Sequence, residues 1–142
     1  MMKKIANIII IIALILFLSS CNQTYEYVYM HDQDDIITID IISAEEGTIE
    51  PIITHIASID ESMHDAFIED LNQIEFQKYL YDEHPSIYHK QAIMITYLNG
   101  DYEIITYDAQ MVFFHTDNSS EPRRFYTNQE DFEQLLMSYM TS

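Results

Sequence analysis

Cysteine, glycine and basic side chains are all scarce in this chain. Its 142 residues include one Cys, two Gly and three Pro, and six Lys or Arg stand against 24 Asp or Glu. A single Cys excludes an intrachain disulfide framework and any multi-cysteine zinc site. With glycine only at Gly47 and Gly100, neither a Rossmann nor a P-loop phosphate cradle can be built. So few cations argue against holding nucleic acid or an anionic membrane surface through charge. The length suits one modest domain with a real core.

What is present begins with an address. Met1–Lys4 is a short basic start, and Ile5–Leu18 is an almost unbroken apolar run. At about 1.5 Å per residue this run reaches roughly 21 Å, short of the roughly 30 Å hydrocarbon core of a bilayer. A charged start followed by a short apolar region has the form of a secretory signal. The run ends in Leu18-Ser19-Ser20-Cys21, an aliphatic residue, two small residues and the chain's only Cys. That tetrad resembles the lipobox of bacterial lipoproteins. The resemblance implies cleavage between Ser20 and Cys21, with a diacylglyceryl group on the Cys21 thiol and acyl chains such as palmitate. A competing reading makes Ile5–Tyr25 an uncleaved anchor, but its Ser-Ser-Cys-Asn-Gln-Thr end is poor membrane filler.

The expected organisation is residues 1–20 as a cleaved signal, 21–24 as the lipidated Cys and a short tether, and 25–142 as a single acidic domain. All 24 acids lie after position 21, whereas Lys3 and Lys4 leave with the signal. Four basic residues then face 24 acidic ones, a formal charge of −20.

Within the domain, Tyr25–Met30 alternates aromatic and other residues and reads as a strand. Ile36–Ser43 follows as a β-branched run with Ile37, Ile39 and Ile41 on one face. Ile49–Ile56 reads as another strand, with Pro51 marking a start or an edge. From Asp60 the period changes, and Met63, Ala66, Phe67, Leu71 and Ile74 form one helical face, capped by Asp60 or Ser62. Ile74–Leu80 and Met111–Thr116 read as strands. Between them, Asn99-Gly100 favours a two-residue type I′ turn, which would pair Tyr97 with Tyr102 and Ile95 with Ile104. Thr127-Asn128-Gln129-Glu130 matches a capping box before an amphipathic helix with Phe132, Leu135, Leu136, Tyr139 and Met140. These elements predict an α+β fold: an antiparallel sheet of about five to seven strands with two amphipathic helices covering one face. The hairpin and closing helix are similar to those of small Gram-positive lipoproteins of unknown function, a resemblance that implies no activity.

Candidate chemistry is sparse. Asp60/His64 and Glu61/Asp65 are carboxylate and imidazole pairs at helical spacing, but they lie opposite the apolar stripe, where a solvated face belongs. The run His31–Asp35 has carboxylates near calcium-loop spacing without the glycine or the twelfth-position Glu. The only thiol is committed to the anchor, and neither a G-x-S-x-G nor an H-E-x-x-H motif occurs. No metal, cofactor or catalytic set is therefore expected beyond the covalent lipid on Cys21. The loop Tyr81–Lys90 is the most suggestive irregular segment, with Tyr81, His84, Tyr88 and His89 as possible contacts. Arg123-Arg124, the two arginines, are expected to pair with neighbouring carboxylates.

The expectation is a lipid-anchored protein on the extracytoplasmic face of a bacterial cell membrane. Its domain would bind rather than catalyse, favouring a cationic peptide or protein over nucleic acid. The alternatives are an envelope enzyme or enzyme accessory, and a passive structural component.

Overall fold

The computed structural model describes residues 24–48, 50–78 and 85–140. The lipobox tetrad, Cys21 included, and Tyr81 and His84 of the contact loop lie outside these residues. In chain order the strands are β1 (Thr24–Tyr25), β2 (Ile36–Glu45), β3 (Ile52–Ser58), β4 (Phe76–Lys78), β5 (Gln91–Tyr97), β6 (Tyr102–Ile105), β7 (Ala109–Phe114) and β8 (Ser119–Thr127). The helices are α1 (His64–Asn72) and α2 (Gln129–Met140). All pairings are antiparallel, in the order β1-β4-β8-β7-β6-β5-β2-β3. The expected α+β architecture is therefore present. Six strands form the body of the sheet, and the short β1–β4 ribbon extends it beside β8.

Strands β5 to β8 run as a meander, each paired with the next. β2 joins the free side of β5, and β3 forms the border beyond it. From β3 the chain crosses one face of the sheet as α1 and reaches β4 at the opposite end. Both helices pack on this face: Phe67 and Leu71 of α1 and Phe132, Leu135 and Leu136 of α2 bury against Ile39, Ile41, Ile93, Ile95 and Ile105. Each such side chain contributes roughly 1.5–3 kcal/mol by leaving water. Tyr139 locks the helices together, its ring 5.0 Å from that of Phe67 and its hydroxyl donating to Asp70 at 2.7 Å. Ala66, expected in the apolar face, is exposed. On the other face Ile42, Ala44, Ala92, Ile104 and Phe113 pack with Ile87, which folds in from the 85–90 loop.

Four expectations need correction. The first concerns Tyr25–Met30. Only Thr24–Tyr25 is strand, because Val28 and Met30 give their backbone groups to side chains of the sheet instead of to a ladder.

The second is the hairpin register. Gly100 N–H donates to Tyr97 O, and Tyr97 N–H donates to Asp101 O, each at 2.9 Å. Of Asn99 and Gly100, only Gly100 has positive φ, at 87°. The connection is thus a three-residue turn with glycine in the left-handed bulge position, not a two-residue type I′ turn. Pairing shifts by one: Thr96 meets Tyr102, Ile95 meets Glu103 and Met94 meets Ile104. A one-residue slip exchanges the faces of a strand, so Glu103 turns into the helix-covered core.

Third, Ser119–Thr127 forms β8, to which the sequence reading assigns no strand. Pro122 disfavours a ladder, but it sits at a register shift between Gln110 and Met111, where a missing N–H is tolerated. Fourth, the cap of α2 is Asn128 rather than Thr127. Its side chain accepts from Asp131 N–H at 3.2 Å and donates to the Asp131 carboxylate at 2.7 Å. Ile37 is also 45% exposed, because a register shift between Ile36 and Thr38 takes it out of the alternation.

Candidate functional site

Of the expected contact loop, Tyr88 and His89 are described, and they are used differently. Tyr88 is half-buried against the second core cluster, its N–H held by Ser86 Oγ at 3.1 Å. His89 is exposed and left-handed at φ 60°, with its N–H donating to Ala44 O at 2.8 Å. Left-handed backbone is uncommon outside glycine, although His tolerates it better than most residues. Next to it, Lys90 donates to Asp108 at 2.6 Å and lies 4.6 Å from the Tyr107 ring centre. Thr106 Oγ1 donates to the other Asp108 oxygen at 2.8 Å. Lys90 and Tyr107, with Gln91, line a cleft of about 360 Å³ beside α2, which contributes Phe132, Leu136 and Met137. Lys90 enters it already neutralised.

The densest polar constellation was not expected at all. Glu103 is fully buried, and three donors converge on it. Tyr97 hydroxyl gives a short bond to Oε1, Met30 N–H reaches Oε1 at 3.3 Å, and Gln110 Nε2 reaches Oε2 at 2.5 Å. Gln110 Nε2 also lies 3.0 Å from Val28 O and 3.0 Å from the Tyr27 hydroxyl. An uncompensated buried carboxylate would be very costly, so this convergence is what permits Glu103 in the core. Burial, and then the nearby Glu103 charge, push the Tyr97 and Tyr29 hydroxyls well above the ordinary tyrosine range. The network is sealed by packing and almost saturated, with Gln110 Oε1 the one buried side-chain atom lacking a partner among the described residues. It pins the segment that follows the expected tether onto the sheet.

At the rim of this network His31 Nε2 lies 2.8 Å from Asp101, and its ring meets the Tyr97 ring edge-on at 5.0 Å. Burial opposes charge on Asp101, but His115 N–H, His31 and Asn99 donate to it and together hold its carboxyl below the usual range. A histidine oriented by an aspartate is two-thirds of a hydrolytic triad. Among the described residues, however, no Ser or Thr hydroxyl bonds to His31, whose Nε2 is shared by Asp101 and Asn99.

Of the two helical pairs weighed as metal ligands, Asp60 and His64 do structural work, while Glu61 and Asp65 are exposed. Asp60 accepts from Ser62 N–H at 2.9 Å and Ser62 hydroxyl at 2.6 Å, capping the 3₁₀ turn that leads into α1. His64 lies 3.2 Å from Ile59 O. Asp32 caps the 3₁₀ turn at Gln33–Asp35. Among the described residues no group of three His, Cys, Asp or Glu is placed to hold a metal ion.

What remains is a surface of carboxylates. Ion pairs among the described side chains, which exclude those of Lys78 and Arg124, are two, His31–Asp101 and Lys90–Asp108. Of the two arginines expected to pair, Arg123 is exposed on β8 and makes no such pair, and the Arg124 side chain lies outside the described ones. Between the first 3₁₀ turn and α1 an open cleft of about 500 Å³ is lined by Asp34, Asp65 and Glu69, with Ile68 beneath. Glu45, Glu46, Glu50, Asp60 and Glu61 are exposed around the ends of β3. No helix among the described residues is long and apolar enough to cross a membrane. No family model, curated protein or solved structure matches the chain.

Proposed function

We propose that the protein is a lipid-anchored, extracytoplasmic binding module whose acidic domain recruits cationic peptides or proteins at the membrane surface. The observation that carries this reading is the surplus of exposed carboxylates over ion pairs: the described residues hold two such pairs, and both use acids that are themselves largely buried. Unpaired surface charge of one sign raises the encounter rate with partners of the other sign and repels like-charged ones. The polar groups that could suggest catalysis support the same reading, since Glu103, Asp101 and Lys90 are each engaged by neighbouring side chains. Anchoring rests on Leu18-Ser19-Ser20-Cys21. Two acyl chains hold a protein durably where one does so only marginally, so the domain needs no attraction of its own to the lipid surface.

Two measurements test the halves separately. Cys21→Ser should abolish acyl labelling and release the protein from the membrane; unchanged labelling refutes the anchor. Crosslinking on intact cells at low and high salt should recover a basic partner whose yield falls with salt. Recovery of only acidic or salt-insensitive partners refutes the electrostatic reading.

A further inference from the structure

The sheet ends in two very different borders. Among the described residues β1 is two residues long, which gives another chain little backbone there to pair with. β3 is seven residues long, and among the described residues it pairs only with β2. Its outer side therefore presents a row of main-chain N–H and C=O groups facing solvent. Proteins normally blunt such an edge with charge, proline or a bulge. Ile52–Ser58 carries no Asp, Glu, Lys or Arg, and Ile52 and Ile56 are 57% and 41% exposed. Pro51 stands before the strand rather than within it. The register shift opposite Ile41/Ile42 interrupts the ladder near Ile56, but Ile52–His55 pairs without interruption against Ile42–Glu45.

We infer that β3 is a docking edge for an extended basic peptide segment, which adds to the sheet as a further strand. This deepens the acidic-module reading and rests on it. Strand addition draws affinity from main-chain hydrogen bonds and specificity from alternate side chains. Here the uncharged edge offers the backbone and the exposed isoleucines, while carboxylates frame both ends. Glu45 stands directly opposite Ile52, Glu46 and Glu50 precede the strand, and Asp60 and Glu61 follow it. A basic residue at either end of a docked strand meets a carboxylate.

The same frame argues against a second copy as the occupant. Antiparallel pairing of β3 with itself brings the start of one strand against the end of the other. That places Glu45, Glu46 and Glu50 of one copy beside Asp60 and Glu61 of the other, an opposition of like charges. A basic peptide relieves that repulsion.

The test uses the full chain in a neutral detergent, and as probe a capped seven-residue peptide of alternating Lys and Val. The expected result is binding, with β3 amides becoming protected from hydrogen exchange. Ile52→Lys puts a charge on the edge and should weaken binding about tenfold or more. Leu98→Lys makes the same change in net charge at the exposed hairpin tip and should weaken it about twofold or less, the part owed to net charge alone. Equal losses in the two variants, or protection elsewhere than β3, overturn the docking edge and leave the acidic reading standing. Failure of the unaltered chain to bind the peptide at low salt overturns both.

Discussion

Glu103 on β6 and the backbone of β3 lie three strands apart in one sheet, yet they treat hydrogen bonding in opposite ways. Around Glu103 donors converge: Tyr97, Met30 and Gln110 all point at one carboxylate, buried under the helices. Along β3 a strand's worth of donors and acceptors has no partner among the described residues and is flanked by exposed apolar side chains. A buried polar group must be paired to be tolerated at all, whereas an edge group can pair with water until something displaces it. The first region should therefore be sensitive to substitution through stability. The second should be sensitive only through binding.

The largest effect is expected from Glu103→Ala. It removes the acceptor from three buried donors and opens a cavity, and should cost about 2–4 kcal/mol of stability. Urea midpoints read this directly. A loss below about 0.5 kcal/mol, the range of an ordinary surface change, would break the contrast by showing that the network contributes little.

Next comes the turn that places Glu103 inside. Gly100 sits at φ 87°, and a Cβ there would lie 3.1 Å from the His115 ring. Gly100→Ala should cost about 1–2 kcal/mol, since an L-residue is strained in that conformation. Cross-strand contacts measured by NMR would show whether the Ile95–Glu103 pairing persists in the variant.

This turn also marks how far the fold could be read from the sequence. Asn99-Gly100 located the hairpin, and β5 and β6 lie where the alternation put them. The register was not legible, because Ile93, Met94, Ile95, Ile104 and Ile105 supply apolar residues to both faces. When both faces of a strand are apolar, the pattern does not say which is core, and the choice falls to turn geometry. Both helices were visible from their stripes, although Ala66 turns out exposed, Ile74 lies past the end of α1, and the cap of α2 moved by one residue. The Glu103 network was invisible for a physical reason. Its members come from residues 27–30, 97, 103 and 110, and a buried Glu looks like any other of the 24 acids until the sheet is assembled. The edge character of β3 was hinted at by Pro51, but which strand ends the sheet is a property of strand order, which no local pattern encodes.

Alkaline pH should separate the two regions again. The Tyr97 and Tyr29 hydroxyls are raised by burial and by the Glu103 charge, and the Tyr139 hydroxyl is pushed up to about 12 by burial and by Asp70. A folded value above the unfolded one gives stability that is fully present below about pH 10 and is lost as pH rises past it. Stability read by urea midpoints should accordingly fall as pH rises past about 10, chiefly through the buried Tyr97 and Tyr29, with the more exposed Tyr139 contributing least. Tyr97→Phe should cost about 1 kcal/mol at neutral pH and flatten that decline. An unchanged alkaline slope would mean that Tyr97 is not the coupled group. Peptide docking on β3 involves none of these hydroxyls; it should weaken as the peptide's own lysines lose their charge, at about pH 10.4, and Tyr97→Phe should leave that course unchanged.

The smallest stability effect is expected where the binding effect is large. Ile52→Lys replaces an exposed side chain opposite Glu45, and should change stability by no more than about 0.5 kcal/mol in either direction. If so, an isoleucine at this edge is not held there by folding. Lysine would serve the fold as well, and would also protect the edge from unwanted pairing. A position that gives up solubility without gaining stability needs another reason, and contact with an incoming strand supplies one. Should Ile52→Lys instead cost about 2 kcal/mol or more, the residue belongs to the core, and the exposed row along β3 is a consequence of packing rather than a place for a partner.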